Sequence, residues 1–356
     1  MQPVQLTGKR DHYIDNLRSI SILLLFPVHT FMIWNNFGSG FYVWLEENKI
    51  YSTLIVLINP WFMPLLFLLA GISARLSLEK RTTKEFVIQR INKLLIPFIA
   101  GMVFLVPIQT LYARKFFYNY SGGFIENWRY FFTHFTDLSG YDGAFTPGHL
   151  WFILYLFIIS IVSLIIFRYF PYKKVVQVTG KLHISCIILL FIPIWLMYYI
   201  GNFGGFSIGK NLALYLAGYY IISNNAVMEK AEKNIKWITL LCLASTLISA
   251  VLYYKYLFYG DIWVCYIGWV TILVLLVYGK RFLNKKTKLM EFARRASYPV
   301  YILHQSILVA LAYYIASIFN NIMVQAAVIC VGSLILTIMA YYIINKIPVA
   351  RKIIAQ

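Results

Sequence analysis

The sequence predicts an all-α membrane protein with about ten transmembrane helices and with both termini in the cytoplasm. Three observations support this fold class: the apolar composition, the spacing of the apolar stretches and the distribution of positive charge. The chain has 356 residues, of which 60% are hydrophobic and only 13% are charged. Soluble domains average about 45–50% apolar and about 25% charged residues, so the composition disfavours a soluble globular enzyme.

Ten apolar stretches come close to the length of about 20 residues that a helix needs to cross the hydrocarbon core. They lie at 13–35, 52–74, 94–112, 149–168, 183–200, 211–223, 237–254, 262–279, 298–319 and 323–345. Prolines inside several of these stretches, including Pro27 and Pro107, predict helix kinks. Because ten spans and their loops use up the chain, we expect a single transmembrane domain over 1–356 with no appended soluble domain.

The positions of Lys and Arg predict the orientation, because cytoplasmic loops of membrane proteins are enriched in both residues. With the N-terminus inside, only six of the 32 Lys and Arg residues lie outside: Lys49, Arg114, Lys115, Arg129, Lys210 and Lys255. The acidic residues divide almost equally between the two sides, so the net charge of +19 falls on the inner side. We therefore predict a multi-pass protein of the plasma membrane and attribute its basic charge to topology rather than to nucleic-acid binding.

Two ionisable residues lie inside the first span, where burial in lipid is costly and suggests function. Arg18 and His29 share one helix face and lie about 16 Å apart along it. A neutral imidazole can act as a general base for a hydroxyl group, whereas the structural alternative is a histidine hydrogen-bonded between helices. Asp15, three residues before Arg18, predicts a local ion pair.

Arg90 and Lys93 lie at the inner edge of the third span with i, i+3 spacing. Together they make a patch of two cations suited to phosphate groups, Arg through its planar fork and Lys as a point charge. The alternative is a pair of side chains that reach toward the lipid headgroups.

Two further motifs carry candidate residues for an acceptor site or a polar channel. His149 and Trp151 open the fourth span from outside, and Tyr298, Tyr301 and His304 follow each other at i, i+3 and i+6 in the ninth. The outer segment 113–148 is rich in aromatic residues, which suit either an interfacial cover or a platform for sugar rings. The histidines and the four cysteines show no ligand-like spacing, so we expect no metal site.

Five short motifs occur in order along the chain. They are 13–18 followed by His29, 61–71, 90–98, 148–152 and 297–304. Together they resemble the acyltransferase family 3 of bacterial membrane proteins, in particular the branch that contains glucans biosynthesis protein C. Two positions depart from the common pattern. Pro64 stands where other branches carry an Asp, and Lys93 replaces the second Arg of the family's RxxR motif.

The resemblance implies a membrane O-acyltransferase that moves an acyl group, acetyl or succinyl, from cytosolic acyl-CoA to a hydroxyl of an extracytoplasmic carbohydrate. It implies that His29 is the catalytic base with Arg18 as its family partner, and that Arg90 and Lys93 hold the phosphates of the donor. We expect no bound cofactor, with acyl-CoA, such as acetyl-CoA, as co-substrate. The expected partners are membrane lipids, acyl-CoA and a glycan; a homo-oligomer is compatible with the sequence.

The main alternative function is a transporter or flippase for a sugar or lipid-linked saccharide. Proline-broken spans and a polar channel would suit transport. Against transport, the sequence shows no internal repeat and no acidic residue near the middle of a span. A purely structural or sensory membrane protein would leave the buried Arg18 and His29 without a purpose.

Overall fold

The computed structural model describes residues 12–38, 40–203 and 206–354, and most of these residues are helical. The first half contains α1 His12–Leu23, α2 Leu25–Phe31, α3 Lys49–Ile58, α4 Phe62–Leu78, α5 Thr83–Arg90, α6 Ile96–Phe104, α7 Val106–Tyr118, α8 Phe124–Thr133 and α9 Trp151–Tyr169. The second half contains α10 Tyr172–Thr179, α11 Ile184–Leu189, α12 Phe191–Leu196, α13 Ile208–Ala217, α14 Asn225–Lys233, α15 Ile235–Tyr256, α16 Asp261–Phe282, α17 Lys288–Ile315, α18 Ile322–Lys346 and α19 Pro348–Ile354.

Shorter elements connect or extend these helices. Two π-helices, π1 Ile91–Leu95 and π2 Gly218–Ile222, continue α5 and α13. Single 3₁₀ turns cover Met32–Trp34, Gly148–Leu150 and Met197–Tyr199. A small antiparallel hairpin pairs β1 Asn202–Phe203 with β2 Phe206–Ser207.

Eight helical stretches of the described residues are long and apolar enough to cross a membrane. They are His12–Trp34, Lys49–Leu78, Thr83–Tyr118, Gly148–Tyr169, Ile235–Tyr256, Asp261–Phe282, Lys288–Ile315 and Ile322–Lys346. The fifth and sixth predicted spans form shorter helices, Ile184–Tyr199 and 208–222. Each is about 22–24 Å long, against a hydrocarbon core of about 30 Å. The predicted all-α, multi-pass architecture is confirmed, with these two stretches shorter than the rest.

Proline explains the breaks inside the first and third spans. Pro27 has no N–H to donate to the carbonyl of Leu23, and the helix is interrupted between α1 and α2. Pro107 leaves the carbonyl of Val103 free in the same way, and the indole N–H of Trp128 donates to that oxygen at 2.9 Å. The predicted kink positions are therefore real, and α8 supplies the missing donor at the second one.

Segments predicted to share one face of the membrane do lie together. On the predicted outer side, the hydroxyl of Tyr141 donates to the carbonyl of Gly40 at 2.6 Å. Burial raises the pKa of Tyr141 to about 12, so this hydroxyl keeps its proton at neutral pH. On the predicted inner side, Asn16 Nδ2 donates to the carbonyl of Leu283 at 2.6 Å. Which of the two sides is cytoplasmic stays a prediction.

Three charged residues of the orientation argument, Lys9, Arg10 and Asp11, lie outside the described residues.

The aromatic outer segment 119–147 packs against the ends of the spans. The guanidinium of Arg114 lies between the rings of Tyr120 and Tyr130, at 3.9 and 4.1 Å from their centres. Only some of the aromatic side chains in this segment, such as Phe135, are exposed. This packing favours a cover for the bundle over an open platform for sugar rings.

The backbone of α4 is in direct contact with the backbones of α13 and π2. A Cβ on Gly71 would lie 1.9 Å from the carbonyl oxygen of Tyr215, and a Cβ on Gly218 would lie 2.0 Å from that of Leu68. Only glycine fits at either position, as is common where membrane helices approach closely. The contact holds Tyr215 in the interior of the bundle, where it is fully buried.

Candidate active site

Three histidines from three different spans meet in the half of the bundle that is predicted to face outward. The ring centre of His304 lies 5.2 Å from that of His29 and 5.1 Å from that of His149. His29 lies on α2, His149 at the start of the fourth span and His304 within α17. The sequence placed these residues in separate motifs, and the fold brings them into one cluster.

His149 is held by hydrogen bonds at both ring nitrogens. Its Nε2 lies 2.9 Å from the carbonyl of Ile302, and the side-chain Nε2 of Gln109 lies 3.0 Å from its Nδ1. Because a carbonyl only accepts, Nε2 carries the proton and Nδ1 accepts from Gln109. The ring is buried and has no free nitrogen to offer a substrate. His149 therefore has a fixed tautomer and packs against the other histidines without offering a nitrogen to a substrate.

His304 has one nitrogen engaged and one free. Its Nδ1 lies 2.7 Å from the carbonyl of Tyr301, so Nδ1 donates and the neutral ring keeps a lone pair on Nε2. This Nε2 is buried and has no hydrogen-bond partner among the described residues. An unsatisfied buried acceptor costs about 1–3 kcal/mol. A polar partner at this nitrogen would therefore stabilise the site.

His29 is the most accessible of the three histidines, with a half-buried ring. The ring of Phe41 stacks on it, with the two centres 5.8 Å apart. The Nδ1 of His29 is buried and lacks a hydrogen-bond partner within the part of the chain that the structure describes. No described hydrogen bond fixes the tautomer, so either nitrogen is free to accept a proton. This arrangement suits a general base.

The remaining residues predicted for the acceptor side divide into two groups. Tyr301 joins the cluster, because its hydroxyl donates to the backbone carbonyl of the histidine in the fourth span. Tyr298 points elsewhere, and its hydroxyl donates to the carbonyl of Lys93 at 2.5 Å. Trp151 stacks on Phe206 of β2, with ring centres 4.2 Å apart. Tyr298 and Trp151 therefore lie outside the histidine cluster.

Arg18 lies in the inner part of the first span and is not a neighbour in the histidine cluster. Its guanidinium donates to Asp15 Oδ1 and to Ser73 Oγ, both at 2.9 Å. The local ion pair expected for Asp15 is therefore present. These contacts anchor α1 to α4 and hold a positive charge in the inner half of the bundle.

Arg90 and Lys93, predicted to form a two-cation patch, have different surroundings. The guanidinium of Arg90 stacks on Phe86 at 4.4 Å from the ring centre, and its Nε is buried without a partner among the described residues. The side chain of Lys93 is exposed. Because π1 begins directly after Arg90, its wider turn replaces the regular i, i+3 geometry. Arg18 and Arg81 are the cations near enough to act on Arg90, and the phenol of Tyr215 is also a neighbour.

Two cavities in the described part of the bundle lie away from these residues. A groove of about 450 Å³ has an apolar lining that includes Phe191 and Trp263. A cavity of about 10 Å³, enough for one water molecule, lies beside Lys210. Within the described ranges, no three His, Cys, Asp or Glu side chains are grouped as a metal site.

Two residues of this architecture were not singled out from the sequence. Gln109 is a lone amide within an apolar span, and the cost of burying polar groups in a membrane was a usable signal for it. Tyr215 is one of 28 tyrosines and carries no such signal. Its importance follows only from its neighbours in the fold.

Comparisons with known proteins agree with the motifs. Residues 11–342 match acyltransferase family 3, whose description is "Acyltransferase domain". Glucans biosynthesis protein C of Salmonella gallinarum (strain 287/91 / NCTC 13346) is 25% identical over 174 residues, which cover 46% of this chain and 41% of that protein. The chain thus spans less than half the length of this curated relative. No solved structure matches the chain.

The family match covers the three histidines, Arg18 and Arg90, and it includes all ten predicted spans except the last few residues of the tenth. It favours an enzyme over the transporter that the sequence left open. The chain is therefore a multi-pass membrane protein that belongs to acyltransferase family 3.

Proposed function

We propose that this protein transfers an acyl group, acetyl or succinyl, from cytosolic acyl-CoA to a hydroxyl of an extracytoplasmic carbohydrate. The observation that carries the proposal is the pair of adjacent imidazoles, His29 and His304, each with an unpartnered buried nitrogen. Such nitrogens suit the removal of a proton from an alcohol. The name of the curated relative refers to glucans biosynthesis, which supports a glucan as the acceptor.

The donor approaches from the basic side of the bundle, because a surface with positive potential attracts the polyanionic nucleotide of acyl-CoA. Lys93, which is exposed, meets the nucleotide at the entrance, and Arg90 and Arg18 hold its phosphates further in. The pantetheine arm then runs along the first span toward His29. Arg18 and His29 are about 16 Å apart along this span, a distance that an extended arm of this kind bridges.

The chemical step is an attack of the acceptor oxygen on the thioester carbonyl. His29 takes the hydroxyl proton while the new C–O bond forms and the C–S bond breaks. The imidazolium then returns the proton to the departing thiolate. His149 exchanges no proton, because both of its nitrogens are engaged. The hydroxyl of Tyr301 now donates to the carbonyl of His149. After rotating away from that carbonyl, it donates a hydrogen bond to the oxyanion that forms during the attack.

Phe41 and His304 pack against His29 and leave it half-buried, so both substrates need side-chain movement to reach it. On the acceptor side, Phe41 is the ring that must shift, because it stacks directly on the imidazole. The loop that carries Phe41 is tied down at Gly40 by the hydroxyl of Tyr141. The acceptor therefore enters beside this loop.

The test is the acylation of surface glycans in cells that carry His29→Ala or His29→Gln, measured by mass spectrometry. We expect a loss of at least about 100-fold, the lower end of what a general base contributes. His12→Ala, at the other end of the same span, is the matched control and should acylate normally. Membrane abundance must be equal in all variants. Full acylation by both His29 variants would remove the proposed base and with it the mechanism.

A further inference from the structure

A second group of unpartnered polar atoms lies in the inner half of the bundle, away from the histidines. Three elements contribute to it: Arg90 ends α5, Ser160 lies on α9 and Tyr215 lies on α13. Arg90 Nε, Ser160 Oγ and Tyr215 Oη are buried and have no hydrogen-bond partner within the described ranges. Ser160 and Tyr215 are both 0% exposed. No hydrogen bond of normal geometry joins these atoms to the described chain, so burial leaves each of them incompletely satisfied.

These side chains lie close enough to act together. The hydroxyl of Tyr215 faces Ser160 and lies in the electrostatic field of Arg90. Helix α9 packs against both π1 and α13, which brings the three elements to one place. The charge of Arg18 also acts on Arg90, and the Asp15 carboxylate is already paired with Arg18. Among the described residues, no acidic side chain forms an ion pair with Arg90.

Serine usually avoids such isolation in a membrane helix, because its hydroxyl donates to the carbonyl one turn earlier. Ser160 does not do so, and neither does Ser163 one turn nearer the inner end of α9. Both serines are fully buried. Their hydroxyls therefore form a short polar stripe inside the bundle that leads inward from the level of Ser160.

Both π-helices of the described residues adjoin this group. π1 begins directly after Arg90, and π2 begins three residues after Tyr215. Wide turns of this kind are frequent at functional sites, where they re-aim the neighbouring side chains. The backbone contact at Gly71 fixes the position of Tyr215 independently. The local backbone is thus built around these two side chains.

A guanidinium and two hydroxyls that converge are all able to donate, and together they suit an anionic, oxygen-rich ligand. We infer that Arg90, Ser160 and Tyr215 form a buried site for a phosphate group of the acyl donor. Tyr215 is thereby the second donor to the phosphate beside Arg90, a role that the i, i+3 spacing had predicted for Lys93. This inference rests on the proposed function and adds Ser160 and Tyr215 to it.

The test measures direct binding to the purified full chain in a detergent free of phospholipid, so that no lipid phosphate competes. The two probes are acetyl-CoA and S-acetylpantetheine, which carries the same thioester arm without phosphate. In Tyr215→Phe, which removes one hydroxyl and keeps the ring, the Kd for acetyl-CoA should rise about tenfold, as expected for one lost bond to a charged group. Ser160→Ala should act in the same direction. The affinity for S-acetylpantetheine should not change in either variant.

Tyr220→Phe is the matched control, because it removes a buried hydroxyl in π2 that donates to the carbonyl of Phe170 at 2.6 Å. It should leave both affinities unchanged. Equal weakening of both probes in Tyr215→Phe would show contact with the arm and overturn the phosphate assignment. Unchanged acetyl-CoA binding in Tyr215→Phe and Ser160→Ala would overturn the site altogether. That result, combined with lost acylation in His29→Ala, would leave the proposed function standing.

Discussion

Replacing Gln109 by Leu should lower the stability of the bundle by a predictable amount. Gln109 Nε2 donates to His149 Nδ1 at 3.0 Å and to Ser306 Oγ at 2.9 Å, and Gln305 Nε2 donates to its Oε1 at 3.2 Å. Leu fills a similar volume but forms none of these bonds. Hydrogen bonds between membrane helices average about 0.6 kcal/mol each, so losing three costs about 2 kcal/mol. Thermal unfolding in detergent should show a Tm that is lower by a few degrees.

The same substitution should reduce activity beyond its effect on stability. Without Gln109, the ring of His149 is held only through Nε2, by the carbonyl of Ile302, and its orientation is less firmly fixed. His304 packs against this ring with centres 5.1 Å apart, so its free nitrogen would move. Misplacement of a reacting group by about 1 Å can cost up to about 100-fold in rate. We expect the acylation rate per folded molecule to fall about tenfold or more.

Gln325→Leu separates the two effects. Gln325 is also a buried Gln, and its Nε2 donates to the carbonyls of Ala316 and Phe319 near the outer end of α18. Its replacement should lower the Tm to a similar degree while the acylation rate stays normal. If both variants lost activity equally, general destabilisation would explain the result, and the orienting role of Gln109 would be refuted.

Two other substitutions test the packing and the donor side. Gly71→Leu should prevent stable folding, because even a Cβ would lie 1.9 Å from the carbonyl oxygen of Tyr215. Membrane abundance and the size-exclusion profile measure the loss of folded protein. A normally folded variant would contradict the close packing. Arg90→Ala should raise the KM for acetyl-CoA more than Lys93→Ala does, since Arg90 is turned into the bundle and Lys93 is exposed. Equal effects on KM would instead support the patch of two cations.

The fold was largely predictable because a membrane imposes one strong condition on the sequence. Each span must bury its backbone bonds in an apolar helix, so hydropathy alone located all of the long helices. Breaks followed from proline, as at Pro27 and Pro107. The fifth and sixth spans, predicted at 183–200 and 211–223, lie at 184–199 and 208–222, but how neighbours stabilise such short helices was harder to predict. The contact between Gly71 and Tyr215 is one such stabilising contact, and the sequence pattern does not reveal it.

The candidate site was only partly predictable, because spacing along a helix fixes angles relative to that helix alone. Tyr298 and His304 are six residues apart, which turns their side chains about 120° from each other. They accordingly contact different partners, Lys93 and His29. The different surroundings of Arg90 and Lys93 coincide with π1, a local widening for which the sequence offered no marker. Individual candidates could be named from the sequence, but their grouping could not.

The unpartnered buried atoms of the bundle suggest why one chain holds two polar sites at different depths. One set surrounds the histidines and comprises His29 Nδ1, His304 Nε2 and Gln305 Oε1, whereas the other comprises Arg90 Nε, Ser160 Oγ and Tyr215 Oη. The outer set contains nitrogens that accept protons, and the inner set contains groups that donate to anions. A donor that is anionic at one end and carries a thioester at the other satisfies both sets at once. Two polar sets at different depths are therefore what the proposed enzyme needs, since its two substrates would arrive from opposite faces of the membrane.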